Sequence, residues 1–230
     1  PFAADDMTDY ADIGAPYFDE KDWAAAGTAA ECIGMLLTYV HEVMQSDIHH
    51  ISSLERIDND SRLVVDGASL RHLEITQNVR DGGRKGTLLA VLDKTKTAMG
   101  GRLLRKWLEA PLLRIGEITK RQDAVEDIIN HEIMRQDIAD TLDGIYDFER
   151  ILTRIETGTA SPKDLVALRE SLAVIPKLKN MIQGASSELL KELEARMSPH
   201  QDVYDLLCRG IKDEPGVVIR NGGVIRDGYS

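Results

Sequence analysis

Residues 87–112 read TLLAVLDKTKTAMGGRLLRKWLEAPL, and this stretch decides how the rest of the chain is read. Thr97 offers a side-chain oxygen to the orphan amides of a helix start. Behind it Met99, Leu103, Leu104, Trp107 and Leu108 recur at the spacing of one helical face, and Pro111 marks the stop. The periodicity predicts a helix with that face, Trp107 included, in the core. Gly100 and Gly101 each cost about 1 kcal/mol against Ala inside a helix, so their presence predicts close backbone approach, read here as helix packing. The opposite face carries Arg102, Arg105 and Lys106. It reads either as phosphate or inter-domain contacts or as a solvated face balanced by acids elsewhere in the chain.

Upstream, residues 80–86 (RDGGRKG) form a polar glycine-containing loop before the short helix that Thr87 opens. Lys85-Gly86-Thr87 is in the wrong order for a phosphate loop, which ends Gly-Lys-Ser or Gly-Lys-Thr, so only the unspecific attraction of a helix N-terminus for anions remains. Residues 62–65 are β-branched and extended in character, and Asp66 can cap the brief helix after them. From Ala24 to Gln45 the residues Ile33, Leu36, Leu37, Val40 and Met44 mark a long amphipathic helix. Residues 1–23 are acidic and punctuated by Gly14 and Pro16, a connecting segment from a preceding domain, whereas residues 24–230 read as one helical domain. An opening on Pro1 rather than Met reads as a trimmed piece of a longer chain.

Downstream, residues 118–129 and 133–142 give two helices split near Asn130, with Val125, Ile128 and Ile129, then Ile133, Ile138 and Leu142, facing inward. Asp147 opens another, with Phe148, Ile151, Leu152 and Ile155 inward and Gly158 as the stop. Ser161-Pro162-Lys163-Asp164 is a strong helix start, because Ser accepts from free amides, Pro suits the first turn and Asp favours the positive end of the dipole. Leu165, Leu168, Leu172 and Ile175 form its stripe. Residues 187–197 and 201–211 supply two more helices, the second presenting Val203, Leu206, Leu207 and Ile211. Residues 217–220, a turn at Asn221-Gly222-Gly223, and Val224-Ile225 read as a short C-terminal β-hairpin. The fold class is all-α and multihelical, with that hairpin at its end.

Composition agrees. The 230 residues are 43% hydrophobic and 29% charged, enough for one or two soluble cores, and only 5% aromatic with abundant Leu, Ile, Ala, Glu and Lys, which favours helices over a β-sandwich. The sequence has neither a run of about 18 apolar residues nor a basic-then-apolar leader, so a cytoplasmic protein without membrane attachment is expected. The net charge of −11 argues against a general polyanion binder, yet residues 80–121 hold eleven Lys and Arg against four acids.

Cys32 and Cys208 have no second ligand at metal spacing and read as two reduced thiols. His49-His50 diverge as neighbours with no third ligand, and Asp5-Asp6 and Asp58/Asp60 are loop acids. No nucleophile elbow, Cys-His pairing or acid pair stands out. The sequence therefore offers no catalytic, cofactor-binding or metal site.

With its flanks the opening stretch resembles a known family. Residues 70–78 (LRHLEITQN), Thr87-Leu88-Leu89 with Leu92-Asp93, residues 97–104 (TAMGGRLL), Trp107-Leu108 and Pro111-Leu112 are similar to the start of the core domain of bacterial MutS, the DNA mismatch-recognition ATPase family. Arg121 with Asp123-Ala124-Val125, residues 147–151 (DFERI) with Arg154-Ile155, residues 162–165 (PKDL) and residues 222–229 (GGVIRDGY) continue the likeness in order. The resemblance implies a core domain of MutS type, cut before the lever helices, clamp and ATPase, that links mismatch-binding and clamp regions to the ATPase. It implies ATP and Mg²⁺ for the full-length protein only, mismatched duplex DNA contacted through other domains, a homodimer, and a MutL-type repair partner. Phe18-Asp19-Glu20 spells the Phe-x-Glu pattern of mismatch reading, but that motif belongs to a separate domain far upstream, so the role is not carried over. The rival reading is a stand-alone all-α interaction module unrelated to DNA repair.

Charge and resemblance pull apart over DNA, and electrostatics decides. The chain should bind duplex DNA only at the weak end of non-specific binding, roughly 10⁻⁴ M at physiological salt, without mismatch preference. A fluorescence-anisotropy titration of matched and mismatched duplexes across a salt series checks this; sub-micromolar, mismatch-selective binding would refute it.

Overall fold

The computed structural model describes residues 15, 18, 23–24, 26–27, 29–43, 61–216 and 222–229. The chain divides into two compact units, Pro1–Asp58 and Asn59–Ser230, whereas the composition break lies at 23/24. In the first unit α1 (Ala29–Val43) buries Ala30 and Leu37 and leaves Leu36 and Tyr39 exposed. Phe18 stacks on Trp23 with ring centroids 5.5 Å apart. Met44, Gln45, His49-His50, Asp5-Asp6, Asp58 and Asp60 lie outside the described residues.

The second unit opens with the extended segment expected at 62–65. Arg62 pairs antiparallel with Leu112, through Leu63 N to Pro111 O at 2.8 Å and Leu113 N to Ser61 O at 3.0 Å. Then come α2 (Gly67–His72), α3 (Leu88–Leu92) and α4 (Ala98–Glu109); Asp66 and Thr97 cap α2 and α4 as the sequence predicts, and Thr87 caps α3. The burial expected of α4 is not observed. No residue of α4 is fully buried, and Leu103 is 49% exposed. Trp107 is half-buried, with the Arg121 guanidinium 3.8 Å from its ring centroid, a cation–π contact rather than a core position.

The two glycines also differ from expectation. A Cβ on Gly100 would meet Thr97 Oγ1 at 3.0 Å, and one on Gly101 would meet Thr95 Oγ1 at 3.3 Å. The close neighbour is the helix's own capping turn, not a second helix. The capping hydroxyl must fold back over the first turn to accept from Gly100 N (3.0 Å), and the missing side chains leave it room.

Next follow α5 (Ile115–Asn130) and α6 (Glu132–Asp143), packed against each other across a break at His131, then α7 (Phe148–Glu156) and α8 (Pro162–Ile182). At 21 residues α8 is about 30 Å long. It is the spine, packing against α6, α7, α9 (Glu188–Arg196) and α10 (Gln201–Gly210). One core joins Ile151 of α7, Leu168 and Leu172 of α8, Leu207 of α10, Ile211 and Val224, with Phe148, Leu165 and Val203 against it. The other joins Ala124 of α5 to Ala185 and Leu190. Ser171 is fully buried within α8 and satisfied on both sides: its hydroxyl donates to Ala167 O (2.8 Å) and accepts from Tyr146 N (3.0 Å).

Three expectations are corrected. On α5 the buried face is Ala124, Asp127 and Ile128, and Val125 and Ile129 are exposed, because the small Ala124 lets α9 approach and Asp127 reaches that helix's start. Ile133 is 81% exposed and Leu152 53%, so neither is core. The C-terminal hairpin is not supported. Val224 O accepts from Lys212 N, Arg226 N donates to Gly210 O, and Ile225 bridges Ile211, so this segment closes onto the end of α10. Residues 217–221, the other proposed arm and the start of its turn, lie outside the described residues.

Packing around the spine predicts contrasting costs for two leucines that sequence spacing alone treats alike. Leu168→Ala should lose about 2–5 kcal/mol, while Leu152→Ala should stay within roughly 0.5 kcal/mol of wild type. Urea unfolding followed by far-ultraviolet circular dichroism measures both; equal losses would refute the assignment of the core.

Candidate functional site

The cationic face of α4 meets the start of α7. Arg102 donates from Nη1 and Nη2 to the two carboxylate oxygens of Asp147 at 2.8 and 2.7 Å, and from Nε and Nη2 to Glu149 Oε2 at 2.9 and 2.5 Å. Asp147 is also the N-cap of α7. One guanidinium thus holds two acids at the positive end of a helix, a geometry suited to its planar fork. The Asp147 carboxylate lies below its ordinary range because Arg102 hydrogen-bonds it, against the opposing effect of burial. The same bonds hold the Arg102 proton more tightly than usual.

Arg102 is therefore engaged within its own unit rather than presented to phosphate. Arg105 donates to Glu109 Oε1 one turn on at 2.8 Å. Lys106 is exposed and forms no ion pair among the described residues. Arg84, Lys96, Arg102, Arg105 and Arg150 border a cleft of about 640 Å³ at the head of α4. Four of them are paired: Arg84 with Asp93, Arg102 and Arg150 with Asp147, and Arg105 with Glu109. The Thr87 helix start is likewise occupied. Leu88 N and Leu89 N donate to Glu74 O and Ile75 O at 3.0 and 2.9 Å, so these amides do not face an anion.

The pairing of Arg102 with Asp147 belongs to a series. Arg154 of α7 donates to both oxygens of Asp164 at 3.1 and 2.5 Å, and Asp164 also closes the capping box of α8 by accepting from Ser161 N at 2.8 Å. Arg169 of α8 meets Asp213 at 2.9 Å, and Arg226 meets the same carboxylate at 2.7 Å. Both arginines donate to Ile211 O, at 3.3 and 2.8 Å. Arginine–carboxylate links thus run from α4 to α7, from α7 to α8, and from α8 to the segment after α10. Beside them, the buried Asp127 of α5 accepts from Ser186 N and Ser187 N at 2.8 Å each, capping α9 from another helix, and these bonds depress its pKa against burial.

Sequence reading located Asp147, Ser161 and Asp164 as caps but none of their arginine partners. Separations of 45 residues for Arg102–Asp147 and 42 for Arg169–Ile211 leave no local signature. For Arg154 and Asp164, 10 apart, two helix boundaries intervene. Among the described residues no group of His, Cys, Asp and Glu is placed to hold a metal ion, both Cys32 and Cys208 are free thiols, and no helix is long and apolar enough to cross a membrane.

The family described as MutS domain III matches residues 68–227, which contain every one of these links. The chain belongs to the MutS family. The DNA mismatch repair protein MutS of Caldanaerobacter subterraneus subsp. tengcongensis is 41% identical over 198 residues, covering 86% of this chain and 23% of that protein. That of Methanothrix thermoacetophila is 42% identical over 197 residues, 85% of this chain and 23% of the relative, and that of Symbiobacterium thermophilum 39% over 201, 87% and 23%. The chain thus spans about a quarter of the length of these MutS relatives. A stand-alone module unrelated to repair is not favoured, and the helical architecture is that of MutS domain III.

The Asp164 carboxyl is held at about 2, against an ordinary 3.8, chiefly by the Arg154 hydrogen bonds. A folded-state pKa below the unfolded one means that this contribution to stability is complete above 3.8 and is lost as pH falls through about 2. Asp127 and Asp147, also lowered, add loss on the same acid side. Chemical denaturation from pH 6 down to 2 should show this decline, and Asp164→Asn should be less stable at pH 6 with a shallower acid limb. An unchanged acid limb in the variant would refute the linkage.

Proposed function

We propose that this chain is a mechanical element of a DNA mismatch-repair protein. In this reading it is the core through which mismatch-binding and clamp regions are coupled to an ATPase, with no catalysis of its own. The observation that carries the reading is the series of arginine–carboxylate links from α4 through α7 and α8 to the segment after α10. Such links fix helices by directional bonds as well as by packing, and a body tied in this way moves between discrete arrangements instead of deforming continuously. The pairing of Arg102 and Arg105 supports assigning mismatched DNA to other parts of the protein. ATP and Mg²⁺, homodimerisation, a MutL-type partner and a cytoplasmic setting are assigned to the full-length protein on the strength of the family resemblance.

The test is uncoupling. In the full-length protein, Arg154→Gln and Arg102→Gln should leave the separate affinities for nucleotide and for mismatched DNA near wild type. Mismatch-stimulated nucleotide exchange should drop roughly two- to thirty-fold, the range that 0.5–2 kcal/mol of lost coupling gives. Stopped-flow release of a fluorescent nucleotide, with and without mismatch, reads this directly. Unchanged stimulation in folded variants would overturn the reading.

A further inference from the structure

The surface built around Glu74 takes part in neither core and in none of the inter-helix arginine links. Glu74 lies in the left-handed region (φ 49) and is held there from three sides. Its amide donates to Arg71 O at 3.0 Å, its carbonyl accepts from Leu88 N at 3.0 Å, and its carboxylate accepts from Val79 N at 2.8 Å. The loop that follows is cross-braced by Asn78, whose side chain accepts from Asp81 N and donates to Lys85 O, and whose amide donates to Gly83 O. The surface is thus formed before anything binds to it.

Apolar side chains stand out on this braced frame. Leu73 is 66% exposed, Val79 60% and Val91 67%. Leu88 and Leu92 share the outer face of α3 with Val91, while Leu89 on its other side is buried. The bonds of Glu74 to Val79 and Leu88 bring these residues to one locality. In the same stretch Arg71, Arg80, Lys85 and Lys94 are exposed and form no ion pair among the described residues. The carboxylates of the same stretch are already engaged: Glu74 by Val79 N, Asp81 by Gly83 N, and Asp93 by Thr95 and Arg84. Basic side chains outnumber carboxylates over residues 71–96, and an apolar centre beside exposed cations that form no ion pair is the mark of an interaction site rather than of scattered surface leucines.

We infer that this surface docks an acidic segment of a partner protein, one with apolar side chains at its centre and carboxylates around them. DNA fits less well, because phosphates would meet the cations while the exposed Leu73, Val79 and Val91 would face a charged backbone with nothing to bury them. A second copy cannot use the patch symmetrically, since a two-fold contact would set cations against cations. A braced surface loses little freedom on binding, so such a contact forms without a large ordering cost.

The experiment is site-specific photocrosslinking in cells from the full-length protein, with p-benzoylphenylalanine replacing Val91 and, as a control, the exposed Lys163. Crosslinked peptides are sequenced by mass spectrometry. The expected result is a single partner segment flanked by Asp and Glu. Its yield should fall about ten-fold or more on Arg80→Glu with Lys94→Glu, since like charges across an interface are strongly disfavoured. Changing the mapped acids to Lys should restore it. Thermal melts of the variants, expected to match wild type because these residues are exposed, separate lost docking from lost fold. Crosslinks to DNA, to another copy or to the same polypeptide, a yield indifferent to charge reversal, or no crosslink above the Lys163 control would each overturn the inference.

Discussion

The larger unit depends on how α8 begins. Asp164 closes a reciprocal capping box with Ser161 and at the same time takes both prongs of the Arg154 guanidinium, so one carboxylate fixes the start of the longest helix and ties it to the helix before it. With that end fixed, the phase of α8 is set, and Leu168 and Leu172 turn toward Ile151 and Leu207. Ser171, one position away from Leu172, is carried into the interior as well. It is tolerated there because its hydroxyl has both a donor and an acceptor in reach.

The same device recurs at other helix starts, with one of the two partners coming from farther along the chain. Asp147 caps α7 and is gripped by Arg102 from α4, and Asp127 caps α9 from within α5. In each case an acid sits at the positive end of a helix, where its charge is favourable, and a bond to a second element converts a local cap into a tertiary joint. For the mechanical role proposed here this matters because directional joints between helices, unlike an apolar interface that can slide, would carry displacement along defined lines.

The cations illustrate how context changes the meaning of a residue. Arg102, Arg105 and Lys106 look alike on a helical wheel, yet Arg102 joins two helices, Arg105 pairs along its own helix and Lys106 faces solvent. The positive charge of this part of the chain is left unpaired elsewhere, on the braced surface beside Glu74. There the local acids are engaged by backbone amides, hydroxyls and a single arginine, while the other cations remain unpaired.

The sequence by itself determined the all-helical class, the family and the local starts of helices. Asp66, Thr97, Asp147 and Ser161 were legible because a cap bonds to amides two or three residues on, within reach of any short window. Only the tertiary structure decided which apolar residues are core. Val125, Ile133, Leu152 and Leu103 have helical spacing but stay exposed, since burial requires a neighbouring surface, and the small Ala124 rather than a large side chain is what lets α9 come close. It also decided the fate of Val224 and Ile225, which close onto Lys212 and Ile211, because strand pairing depends on which backbone is near and not on the pattern that suggests a turn. And it alone brought Arg102 to Asp147 and Arg169 to Asp213, partners whose meeting is set by the packing of whole helices.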